Sequence, residues 1–163
     1  MLNIVTLGDP ILKKHSTLVT SINEDVERFL NEMFDTMYMG KGIGLAAVQV
    51  GKLDRIFVTH VPRDMPRVFI NPEIVETSLD EEIYEEGCLS IPGINADVIR
   101  PYAIKVQAWN ERGKPFTMDA EGLLARVIQH ELDHLNGILF IDKLDDKKRN
   151  RLLKNYERKA KAG

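Results

Sequence analysis

Cys88 is the only cysteine in these 163 residues. One thiol cannot form an intramolecular disulfide, so a reducing, cytoplasmic location is expected. Long apolar runs are missing as well: no segment approaches the ~20 apolar residues of a membrane span. Met1–Pro10 lacks the basic start and apolar run of a secretory leader. Internal repeats, low-complexity tracts and Pro/Gly/Ser-rich linkers are absent, so one domain is expected across residues 1–163. A large charge of either sign is also lacking, the formal net charge being −3. Its distribution is uneven: eight Lys or Arg against two acids leave +6 over residues 146–163 and −9 in the rest. An acidic body thus ends in a basic C-terminal helix or tail.

The chain does have apolar material, with 44% hydrophobic residues. At this length a globular chain buries roughly two-thirds of its unfolded surface, enough for one core. After Ser21-Ile-Asn-Glu24, which has capping-box spacing, Val26, Phe29, Leu30, Met33, Phe34 and Met37 recur on one helical face, and Gly40 suits the stop. The middle of the chain is strand-like. Residues 55–60, 67–70, 73–77 and 103–109 are short β-branched or aromatic runs, and Asn110–Gly113 turns the last of them into a hairpin with 115–118.

From about Ala120 to Leu135 the period is helical again. Leu123, Val127, His130 and His134 share one side, while Arg126, Gln129, Asp133 and Asn136 lie on the other. His130-Glu131-Leu132-Asp133-His134 is an HExxH motif. On a helix this spacing stacks two imidazoles one turn apart for a shared metal and sets a glutamate beside it. Two core histidines with satisfied ring nitrogens are the bland alternative, disfavoured because adjacent buried imidazoles need partners.

A catalytic site of this kind needs a third protein ligand and one open position. The extended metzincin pattern matches through Gly137 and fails at Phe140, where its third histidine belongs. A thermolysin-type glutamate downstream is limited to Glu157, inside the basic tail. Upstream stands Glu86-Gly-Cys-Leu-Ser90. A lone cysteine is often only a small buried hydrophobe, yet a two-histidine site short of one ligand gives the thiolate a partner. Gly42–Gln49 reads either as a helix stop and small-residue turn or as part of the same site.

Three segments together, Gly42-Ile-Gly-Leu-Ala-Ala-Val-Gln49, Glu86–Ser90 and Gln129–His134, resemble the peptide deformylase family, and Gly8-Asp-Pro-Ile-Leu12 resembles its N-terminal segment. The resemblance implies an α+β fold with antiparallel strands packed around a central helix carrying the HExxH motif, followed by a C-terminal helix. It implies Cys88, His130 and His134 as ligands of one Fe2+, with Zn2+, Ni2+ or Co2+ as substitutes. Ligand softness alone suits zinc. It further implies Glu131 as general acid and base, and Gln49 with the Leu89 N–H as oxyanion donors. Ile43, Gly44, Glu86, Gly87, Leu123 and Val127 are the implied substrate-binding residues, although Leu123 and Val127 also suit plain core.

The activity implied is hydrolysis of the formyl group from the N-terminal formylmethionine of nascent polypeptides. A monomer or weak oligomer with no membrane contact is expected, and the basic C-terminal segment reads equally as a solubilising tail or as a contact with ribosomal RNA. Two departures stand out. Gly93-Ile-Asn95 occupies the place where many members carry an arginine, leaving Arg100 as the nearest guanidinium, and Val48 stands where proline is frequent. The rival readings are an HExxH metallopeptidase, which lacks a convincing third His or Glu, and a structural metal site, which lacks a fourth ligand.

Overall fold

The computed structural model describes residues 2–162. In chain order the elements are α1 (Glu24–Met39), β1 (Gly44–Ala46), β2 (Ile56–Thr59), β3 (Arg67–Thr77), β4 (Glu81–Cys88), β5 (Ile91–Pro101), β6 (Ala103–Trp109), β7 (Pro115–Glu121), α2 (Gly122–Leu135) and α3 (Asp146–Ala162). The fold is α+β. Strands β1-β2-β3-β6-β7 form one antiparallel sheet, and β4-β5 form a separate two-stranded one. None of the described helices is long and apolar enough to cross a membrane.

Side-chain alternation on β2 explains the layering. Ile56 and Val58 pack with Phe29, Leu30, Met33 and Met37 of α1. Phe57 points the other way, stacks on Phe69 at 4.7 Å and meets Ala125, Ile128 and Leu135 of α2. Strand β2 is therefore buried on both faces. A third cluster joins Ile91, Ile94 and Val98 of β5 to Leu12, Leu139, Phe140 and Ile141, with Leu152, Leu153 and Tyr156 of α3 packed against it.

Helix α1 begins two residues later than a Ser21 capping box requires. Asn23 is the cap, its Oδ1 accepting from Asp25 N at 3.0 Å and Val26 N at 3.2 Å. At the other end Gly40 keeps a right-handed φ of −81°, and the left-handed residue is Lys41 at φ 58°. Glycine at 40 and 42 serves proximity: a Cβ there would lie 3.0 and 2.9 Å from Leu89 methyls. The runs at 67–70 and 73–77 are one strand, its pairing with β6 interrupted near Asn71 and Pro72.

Hairpin β4–β5 has no counterpart among the sequence-based strand expectations. Residues Glu81–Glu85 are all exposed, so β4 shows none of the apolar alternation that marks a half-buried strand. Its ladder to β5 holds it, from Glu81 opposite Pro101 to Gly87 opposite Asn95.

Candidate metal centre and active site

Helix α2 is wedged between the five-stranded sheet and the β4–β5 hairpin. Its Ala125, Ile128 and Leu135 pack on the sheet, while Arg126 and Gln129 reach hairpin carbonyls. The side holding Arg126, Gln129 and Asp133 is thus a second packing face, with Arg126 only 6% and Gln129 only 7% exposed.

One turn apart on α2, the His130 and His134 rings lie edge to face with centroids 5.1 Å apart. Cys88 ends β4 opposite them, its Sγ 3.3 Å from His134 Nε2. Ligand atoms of Cys88, His130 and His134 all lie within 4.8 Å of one another. His130 Nδ1 meets Glu86 Oε1 at 2.8 Å, which orients the ring and leaves Nε2 for the cluster.

Electrostatics favour a cation here. Burial opposes charge on His130, yet its hydrogen bonds to Cys88 and Glu86, with the Glu131 charge, outweigh burial and lift the pKa to about 10. Burial, and then the charges of His130 and Arg100, drive His134 well below the ordinary imidazole range. The surroundings of His130 thus favour positive charge beside Glu86 and Glu131. A divalent ion bound by the thiolate and two neutral imidazoles satisfies the same surroundings, so the donor set fits a metal.

Glu131 lies beside this cluster, 4% exposed, and its Oε1 has no hydrogen-bond partner among the described residues. Burial lifts its carboxyl to about 7, where a group both takes and returns a proton readily. Gly44 makes room for it: a Cβ at position 44 would sit 2.6 Å from Glu131 Oε2 and 2.8 Å from Val127 Cγ1.

Gln49 lies in the 3-10 turn Ala47–Val50 that follows β1. Its Oε1 accepts from Ala46 N at 2.9 Å, which turns Nε2 toward Ser90 Oγ at 3.1 Å and Cys88 Sγ at 3.4 Å. Leu89 occupies the two-residue turn between β4 and β5. An N-terminal arm underpins both segments, Val5 N donating to Gln49 O at 2.7 Å and Leu7 N to Ser90 O at 2.8 Å.

A cavity of about 460 Å³ opens onto the cluster. Ile43, Gly44, Glu86, Gly87, Leu123 and Val127, the residues implied for substrate binding, all line it, as do Gln49, Cys88, Leu89, His130 and Glu131. His134 lies beneath, 1% exposed. The role expected of Glu86 changes in one respect, because both its oxygens are engaged. Arg100 donates to them at 2.6 and 3.0 Å, and Arg126 to Oε2 at 2.5 Å. Burial raises the Glu86 carboxyl, but hydrogen bonds from His130 and Arg100 overcome it and hold the group at about 2. Arg100 also donates to Asp133 Oδ2 at 2.8 Å and is 3% exposed, so it is not free to hold a substrate.

The description polypeptide deformylase belongs to the family model that matches residues 1–150. This chain belongs to that family. A peptide deformylase of Rhizobium meliloti is 45% identical over 162 residues, covering 97% of this chain and 93% of its own. Two solved structures agree closely with the fold. The peptide deformylase of Ehrlichia chaffeensis superposes with a TM-score of 0.95 at 37% identity, covering 99% of this chain and 97% of its own. Its complex with actinonin gives 0.94 at 38% identity, covering 97% and 96%. The chain is accordingly a peptide deformylase by family, a hydrolase acting on an amide, and the family is metal-dependent. That membership removes the metallopeptidase and structural-site rivals.

Arg100, Arg126, Gln129 and Asp133 were not foreseen as parts of the deformylase site. The signal was a polar stripe at helical spacing, Arg126-Gln129-Asp133, directly beside His130; such a stripe at the edge of a metal motif marks a layer of supporting hydrogen bonds.

Proposed function

We propose that Cys88, His130 and His134 hold one divalent ion and that Glu131, Gln49 and Leu89 carry out deformylation around it. The observation that carries this reading is the meeting of three ligand atoms within 4.8 Å, at a cavity into which Glu131 and Gln49 also project. The bound ion supplies Lewis acidity, which makes a hydroxide nucleophile available near neutral pH. Glu131 takes the proton of the attacking water and delivers it to the departing amine nitrogen. Gln49 Nε2 and the Leu89 N–H donate to the formyl oxygen as it gains negative charge. The products are formate and a peptide with a free N-terminal methionine.

The substrate in this reading is the N-formyl end of a nascent chain. Its methionine side chain lies along Ile43, Leu123 and Val127, and its backbone passes Gly44 and Gly87. Fe2+ is the proposed native ion by family, with Zn2+, Ni2+ or Co2+ as substitutes. Residues 1–163 act as one cytoplasmic unit, since the site draws on segments from Gly44 to His134. The exposed Lys147, Lys148, Arg151, Lys154 and Arg158 of α3 support a salt-sensitive contact with ribosomal RNA.

The test pairs two variants made anaerobically. Glu131→Gln keeps one metal equivalent while formyl-Met peptide turnover falls by roughly 10²–10⁴-fold. Cys88→Ala loses metal and turnover together, because two imidazoles do not make a three-ligand site. Near-normal turnover of metal-replete Glu131→Gln contradicts the proton-transfer role. A Cys88→Ala protein holding one ion contradicts the ligand set.

A further inference from the structure

The three proposed ligands come from two bodies. Cys88 belongs to the β4–β5 hairpin and the histidines to α2, and the hairpin shares no strand ladder with the sheet beneath α2. Backbone bonds hold the hairpin at its base (Tyr102 N to Asp80 O) and at its turn (Leu7 N to Ser90 O), and side chains that cross from helix to hairpin set how its Cys88 end stands against the imidazoles. Arg126 makes three such crossings: Nη1 donates to Glu86 Oε2 at 2.5 Å and Val98 O at 2.9 Å, and Nη2 donates to Glu82 O at 2.6 Å. Its guanidinium also lies over the Tyr84 ring, 5.5 Å from the centroid. One buried side chain thus grips β4 at Glu82, Tyr84 and Glu86, and β5 at Val98.

The geometry points to Arg126 as a positioning residue for the metal site, acting through Glu86 on His130 and through the β4 backbone on Cys88. Two features set it apart from general packing. Glu86 accepts from Arg126 on the oxygen opposite the one that meets His130 Nδ1, so the guanidinium fixes the carboxylate that fixes the ring. Glu82 and Cys88 lie on the same strand, so holding the Glu82 carbonyl to α2 sets how far the thiolate stands from the imidazoles. Arg126 and Arg100 both donate to Glu86 where all three are buried, while the less buried Asp133 is shared by Arg100 and Lys143. Without Arg126, Glu86 would keep only Arg100 and His130 as partners, and the Glu82 and Val98 carbonyls would lose a donor. Lysine restores the charge but not the fork, since an ammonium on a flexible stem does not reproduce three fixed guanidinium contacts.

This inference rests on the ligand set proposed above, and its test separates the two. Zn2+-loaded wild type, Arg126→Met, Arg126→Lys and Cys88→Ala are compared by metal release into a chromogenic chelator at a temperature far below every Tm, with kcat and KM measured in parallel. Arg126→Met is expected to release metal about ten- to a hundredfold faster, in the range seen when partners of ligating residues are removed. Arg126→Lys should fall between it and wild type. Loss of kcat should track metal release, with KM for formyl-Met peptide changing less. Release at the wild-type rate from a folded Arg126→Met, or from Arg126→Lys if the Met variant does not fold, overturns the positioning role. Metal retained by Cys88→Ala overturns the ligand set instead. A lowered Tm with unchanged release shows a purely structural residue and also overturns the inference.

Discussion

Gly44→Ala is the smallest substitution that reaches the chemistry without touching a ligand. Gly44 is a strand residue outside the left-handed region, so alanine adds no backbone strain. The added methyl would stand 2.6 Å from Glu131 Oε2, whereas ordinary contact begins near 3.4 Å, so the carboxylate must retreat by 0.8 Å. The Val127 methyl, 2.8 Å from the same Cβ, must yield with it. A misplacement near 1 Å costs a reacting group on the order of 10²-fold in rate. Metal content should be unchanged, because Cys88, His130 and His134 are not among the three atoms nearest that Cβ. The assay is formate release from a formyl-Met peptide by protein with one metal equivalent, alongside a thermal melt. The expected result is kcat down by about 10²-fold, with KM raised less by the narrowed cavity. A kcat within threefold of wild type, at equal metal content, would show that Glu131 tolerates displacement and is not the proton carrier.

Glu86 should mark the acid limb of stability. Its carboxyl is depressed from 4.5 to about 2, so its stabilisation is present above the unfolded value and lost as pH falls through the folded one. The shift corresponds to about 3 kcal/mol, and in chelator-treated protein the advantage of wild type over Glu86→Gln should shrink between pH 6 and pH 3. A difference independent of pH would show that Glu86 is not held ionised by its partners. Charge reversal at Lys147, Lys148, Arg151 and Lys154 should weaken ribosome binding and lower its salt dependence while sparing turnover of a short formyl peptide. Equal binding by both proteins across salt concentrations would show that the basic helix is only solvated. Reversal is preferred to truncation because Leu152, Leu153 and Tyr156 pack on the body.

What the sequence displayed and what it concealed follow from how each element is stabilised. Helix α2 was visible because its apolar and metal-facing residues repeat every three to four positions, and β2 because β-branched and aromatic residues fill it. The proposed ligand set was readable because HExxH leaves one vacancy, the chain has one thiol, and the resemblance to peptide deformylases implies Cys88 with the two histidines. Hairpin β4–β5 was concealed because its outer strand is nearly all exposed and derives its order from a ladder and from Arg126. The cap at Asn23 was concealed because Ser21 offered a second, equally regular spacing two residues earlier. The burial of Arg126 and Arg100 was concealed because a charged residue looks solvated until the acid that meets it is known. Glu86 lies forty positions from one and fourteen from the other.

The hairpin and the sheet meet at the hairpin's base, where Ser78 N donates to Ala103 O and Tyr102 N to Asp80 O, and away from that junction their ladders have separate lifetimes. Amides of β2, β3 and β6, pinned inside the central sheet, should exchange with solvent only when the whole molecule opens. Those of the hairpin depend on their own ladder, on the cluster around Ile91, Ile94 and Val98, on side-chain bridges to α2 and, in the proposed ligand set, on an ion joining Cys88 to the histidines. Removing the metal then loosens one limb of the molecule before the other, so the apoprotein keeps its sheet while the cavity wall bearing Gly87 and Cys88 opens and recloses on its own timescale.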